Sequence, residues 1–178
     1  MFENLSRLTN ERLMKLSKDM LTVNKPEETR WYVMNVDIIG GNKPEFLDRV
    51  YEWEAVNTAY LYIICVTGEV DLDEIERLYS LAKAKKHDGR AYARLNNKSP
   101  TLYVGSSRSL KKRLKEHFGF GARGTSSLQI SHWCNISTLS FEIHCAKYQP
   151  SPGAEIIQEM EDTMWLKKRP MFGRRGRR

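Results

Sequence analysis

The chain has 178 residues, room for one domain with an elaboration or two very small ones, and its 40% hydrophobic content is enough to bury a core. No apolar run is long enough to span a bilayer and the first residues lack a signal-peptide core, so a cytoplasmic protein with no membrane partner is expected. Lys and Arg total 29 against 22 acids, which suits a polyanionic partner, while three scattered cysteines (Cys65, Cys134, Cys145) without a C-x-x-C pair disfavour a zinc site or disulfide framework.

Residues 3–21 predict an amphipathic helix, because Leu5, Leu8, Leu13, Leu16 and Met20 recur near helical spacing before Asn24-Lys25-Pro26 breaks the pattern. A strand is expected over 30–39, ended by Gly40-Gly41, and a short helix over 44–55 with Pro44 in its first turn. Thr58 to Val66 is an unbroken apolar and aromatic run, the texture of a central strand covered on both faces. A helix over 71–86 has acids in its first turn and lysines in its last, which suits the helix dipole. A weak strand is expected over 90–96, a turn over 97–100 and a strand over 101–105. A basic helix follows over 109–118, then a glycine-rich loop over 119–124 and a helix over 125–133. A strand over 139–148 and a last helix over 154–169, stopped by Pro170, complete the chain. The pattern is an α+β fold, with residues 1–57 as an extension before a compact unit over 58–173, an inserted helix at about 71–86, and a basic tail over 174–178.

Three places stand out chemically. On the last helix Glu161 falls within the arc of Ile157, Met160, Met164 and Trp165, while Glu155, Glu159 and Asp162 are expected to point the other way. A carboxylate on that side needs hydrogen bonds or a cation. On the basic helix Arg113 and His117 stack four residues apart beside the stripe of Leu110, Leu114 and Phe118. Arg offers a planar donor fork to phosphate and His titrates near neutrality. Ahead of that helix, Tyr103 and Gly105 share one strand face, and Ser106 or Ser107 can cap the helix. His87, His132 and His144 have no metal-ligand spacing and are expected to pack.

Together, Tyr103-Val104-Gly105-Ser106-Ser107, Arg113 and His117 resemble the second half of the GIY-YIG nuclease signature, where a Tyr-Ile-Gly strand leads into a helix with an essential Arg. Glu161, nine residues before Pro170-Met171-Phe172, resembles the metal-binding Glu of that family's last helix. The resemblance covers roughly residues 58–173. It departs in two places: no Gly-Ile-Tyr is present, and Gly173 stands where many relatives carry Asn. Two tyrosines compete for the missing first motif. Tyr62 has the hydrophobic surroundings but requires an insertion before Tyr103. Tyr92 has the hairpin spacing, but Arg90 and Arg94 suit a central strand poorly. Tyr62 is preferred, and Tyr60 shares its strand face.

The resemblance implies a small, mainly three-stranded antiparallel sheet flanked by helices and a metal-dependent endonuclease acting on nucleic acid, DNA first, in a restriction, defence or mobile-element setting. Glu161 is then the ligand of Mg2+ (or Mn2+), Arg113 neutralises phosphoryl charge, and Tyr62 or Tyr92 with Tyr103 positions or deprotonates water. His117 relays a proton or holds a phosphate. Lys111, Lys112 and Arg123, with the basic tail, bind flanking phosphates, and a homodimer would suit cutting of both strands. The competing expectations are a nucleic-acid-binding module of the same fold without catalysis, and a scaffold that binds RNA through the tail.

Overall fold

The computed structural model describes residues 4–23, 25–35, 45–85, 89–136 and 138–176. The elements in order are α1 (Leu5–Leu21), β1 (Glu28–Asn35), α2 (Phe46–Trp53), β2 (Ala59–Thr67), α3 (Leu72–Lys85), β3 (Thr101–Ser107), α4 (Leu110–Phe118), β4 (Ser140–Tyr148) and α5 (Ala154–Lys168). The strands form one antiparallel sheet in the order β1-β4-β2-β3. This is one strand more than the three expected. The added strand is β1, from the N-terminal extension, which pairs with β4 from Glu28↔Lys147 to Asn35↔Ser140. The extension is therefore knit into the sheet, and α2 packs on α4.

The apolar run of β2 explains its central place. Its alternate side chains serve two layers. Tyr60, Tyr62, Ile64 and Val66 enter the main core with α2, α3 and α4, and Ala59 and Leu61 meet Ile157 of α5 on the opposite face. α5 thus covers the side of the sheet that α4 does not, and β3 is the edge strand between the two layers.

Two expected elements do not form. Residues 90–96 make no ladder, only single bridges from Tyr92 to Ser127 and from Leu95 to Phe172. The reason is the central place already taken by β2, which pairs with β3 from Tyr60↔Ser107 to Cys65↔Thr101. Residues 125–133 contain a single 3-10 turn, Ile130–His132, instead of a helix. Gln129 sits at φ 55 before it, and Ser127 spends its hydroxyl on the Glu116 carbonyl, so this segment follows α4 as a strap. Strand β1 ends at Asn35, and the expected residues 36–39, Gly40-Gly41 and Pro44 lie outside the described residues, as do Asn24, Lys86, His87, Arg177 and Arg178. No helix of the described residues is long and apolar enough to cross a membrane.

Candidate active site

An open cleft of about 1330 Å3 lies at the edge of β3, where the layers of α4 and α5 meet. Tyr62, Tyr103 and Arg113 reach it from the α4 side, and Ser106 and Glu161 from the α5 side. The register accounts for the first group. Tyr62 faces Gly105 across the β2–β3 ladder, and the rings of Tyr62 and Tyr103 stack with centroids 6.2 Å apart. A Cβ on Gly105 would stand 2.6 Å from the Tyr62 hydroxyl, so only glycine leaves room for the phenol.

Arg113 is held from three sides. Its guanidinium donates to the Tyr103 hydroxyl at 3.0 Å, to the Ser126 carbonyl at 3.0 Å and to the Glu116 carboxylate at 2.8 Å. Burial disfavours its charge, but the phenols of Tyr62 and Tyr103 and the Glu116 carboxylate outweigh that and hold it more firmly protonated than usual. Sequence reasoning missed Glu116, which is 4% exposed. The Arg113-x-x-Glu116 spacing on one helix was the signal for it.

His117 lies behind the cleft, 0% exposed. Its Nδ1 accepts the Leu128 N–H at 3.3 Å, and its Nε2 is 3.0 Å from the Tyr62 hydroxyl. Burial, reinforced by the Arg113 charge, pushes its pKa well below the usual histidine range. The neutral ring therefore carries its proton on Nε2 and presents it to Tyr62. Such a place does not suit the expectation that His117 holds a phosphate, because both ring nitrogens are occupied inside the protein. Burial pushes the Tyr62 hydroxyl well above the usual phenol range, and the nearby Arg113 opposes the shift.

Glu161 accepts a hydrogen bond from the Ser106 hydroxyl at 2.5 Å. Burial raises its pKa, which Ser106 and Arg113 partly oppose. It is thus a desolvated acid whose direct partner is a neutral hydroxyl. Ser106 is therefore taken from the expected helix cap. Ser107 instead accepts the Ser109 N–H at 3.0 Å before α4 begins. Asp162 also departs from expectation. It was expected to face away from the core side, yet it is 7% exposed, lines the cleft and accepts from Gln158 at 3.0 Å. The chain after Pro170 turns back over it, which helical periodicity alone does not reveal.

A divalent cation fits this donor set. Glu161 supplies a hard oxygen ligand whose charge lacks an ion pair among the described residues. No group of three or more His, Cys, Asp and Glu gathers among the described residues. The fit is therefore to an ion that keeps water and substrate oxygens, as Mg2+ does, and not to a caged zinc.

The remaining expected residues divide. Tyr92 does not line the cleft: its ring meets Tyr79 edge-on at 5.6 Å. Tyr60 is spent on the Trp53 carbonyl at 3.2 Å. Lys112 lines the cleft, whereas Lys111 lies over the Tyr51 ring at 4.1 Å and reaches Asp48 at 3.4 Å, tying α4 to α2. Arg123 is exposed in its loop and is not part of the cleft wall. Arg94, Arg174 and Arg175 are, and of these Arg94 was not anticipated. Asn96 fastens the turn at Gly173, its amide donating to the carbonyls of Pro170 and Gly173 at 3.1 Å each. His132 contacts the Gly119 carbonyl at 3.1 Å and His144 pairs with Glu142 at 3.1 Å. Cys134 and Cys145 are buried, Cys65 is partly so, and all three are free thiols.

No curated protein and no solved structure matches the chain. The GIY-YIG catalytic domain matches residues 89–163. That span holds Tyr103, Gly105, Arg113, His117 and Glu161, and it begins after β2, so Tyr62 joins the site from outside it. Residues 89–163 are thus similar to the GIY-YIG catalytic domain, a nuclease domain.

Proposed function

We propose that the protein is a metal-dependent endonuclease that hydrolyses phosphodiester bonds of DNA, with Tyr62, Tyr103, Arg113 and Glu161 as its working groups. The observation that carries this reading is the meeting of an under-compensated acid, a firmly held guanidinium and two stacked phenols around one open cleft. Mg2+ or Mn2+ held by Glu161 would supply positive charge to the scissile phosphate and its leaving oxygen. Arg113, pre-organised by Glu116 and Ser126, stabilises the charge that builds on the phosphoryl oxygens without having to reorient. Tyr62 accepts the His117 N–H, so its own O–H is left to orient the attacking water. Burial holds the Tyr62 hydroxyl well above the usual phenol range, so it keeps its proton and acts by orienting the water. Tyr103 keeps the guanidinium in place. Lys112 on the cleft wall binds a flanking phosphate without reading bases.

Incubation of the purified protein with plasmid and Mg2+ tests the reading. Cleavage that EDTA abolishes supports it, and discrete fragments support a restriction, defence or mobile-element setting. Tight DNA binding without cleavage in Mg2+ or Mn2+ contradicts it, in favour of a binding module of the same fold.

A further inference from the structure

We propose that Arg174 and Arg175, on the C-terminal arm, form a second phosphate subsite of the cleft, and that Asp162 holds this arm at rest until a polyanion displaces it. The inference rests on the nuclease reading for the identity of the polyanion. The root of the arm is rigid. Phe172 N–H donates to the Leu102 carbonyl at 2.9 Å, Gly173 N–H to the Arg94 carbonyl at 2.8 Å, and the Asn96 amide grips the turn between them. This root delivers Arg174 and Arg175 to the wall that Arg94 also lines.

Asp162 makes sense only with the arm. A buried carboxylate in a cleft that admits phosphates repels its ligand, and none of the steps above uses it. Gln158 fixes it at 3.0 Å, Arg175 Nε stands 3.9 Å from Oδ2, and a Cβ on Gly176 would lie 3.2 Å from that oxygen. The arm therefore passes beside the carboxylate at Gly176. Gly176, at positive φ just past the two arginines, lets the chain pass close to Asp162. The contact is loose, with the Arg175 side chain 51% exposed. Such a pair contributes little, and a phosphate that accepts the guanidinium fork displaces it.

The test is binding of a labelled DNA duplex in EDTA, where no cleavage occurs, by the full chain and by Asp162→Asn, Arg175→Gln and the double variant. Asp162→Asn should tighten binding by about two- to five-fold, the range of an exposed pair. Arg175→Gln should weaken binding and reduce the slope of log Kd against log salt by about one. In the Arg175→Gln background, Asp162→Asn should no longer tighten. Full tightening in that background means simple repulsion and overturns the latch. An unchanged Kd and slope for Arg175→Gln overturns the subsite. A readout without nucleic acid judges the latch alone: trypsin should cut after Arg174 and Arg175 faster in Asp162→Asn than in wild type, and equal rates overturn it. A wild type that binds DNA but never cuts it overturns the nuclease reading and leaves the arm standing.

Discussion

The Tyr62 hydroxyl lies 3.0 Å from Nε2 of His117, while Nδ1 of the same ring accepts the Leu128 N–H. The ring is thus a fixed donor aimed at one phenol oxygen. It positions Tyr62 without touching the cleft. His117→Phe, which keeps the volume but removes the donor, should lower kcat by about 100-fold with little change in KM. His117→Gln, whose amide can donate, should recover part of that loss. Single-turnover cleavage measures both, and a wild-type rate for His117→Phe contradicts the role.

The same burial sets a pH dependence of stability. The folded pKa of His117 lies well below its unfolded value near 6.5, so the unfolded chain takes up the proton first as pH falls. The stability associated with this ring is complete above the unfolded pKa. It is lost as pH drops towards the depressed folded value, at up to about 1.4 kcal/mol per pH unit. Urea unfolding at neutral and mildly acidic pH should show that slope in wild type and a shallower one in His117→Gln. Parallel slopes contradict a buried neutral ring.

Gly105→Ala should injure the site from beneath. The new Cβ would stand 2.6 Å from the Tyr62 hydroxyl and 2.9 Å from the Tyr103 ring, so one or both rings must shift. Overpacking of this kind costs about 1–3 kcal/mol. Thermal unfolding should report that loss, and cleavage should fall by more than the loss of folded protein explains, because one or both phenols move.

Much of this site was legible in the sequence, and the misses have separate causes. The apolar run of β2 announced a strand buried on both faces, and the Tyr103–Gly105 alternation placed its side chains correctly. The spacing of Tyr92 from Tyr103 suggested a hairpin, but pairing is decided by which strand buries more apolar surface, and β2 wins. That inserts α3 between the two paired strands, so sequence distance misleads. Asp162 was misjudged because periodicity describes an isolated helix, whereas its burial comes from a chain end folding back. Glu116 was not singled out, although its spacing from Arg113 carried the information.

Asn96 fastens that returning chain end. Asn96→Ala removes the hydrogen bonds to the Pro170 and Gly173 carbonyls, at a cost of about 1–2 kcal/mol. Because the turn carries Gly173 against the Tyr103 ring, activity should fall with it. Chemical denaturation and duplex cleavage measure the two effects, and unchanged stability contradicts the role given to this amide.

We propose that Glu161 holds the catalytic cation. The most direct measurement is Mn2+ binding by calorimetry for wild type and Glu161→Gln, run beside plasmid cleavage by the same samples. Wild type should bind Mn2+ and cut. Glu161→Gln, folded and still able to bind DNA, should lose the binding heat and slow cleavage by about 100-fold or more. Equal metal binding and equal cutting by the two proteins would contradict the claim.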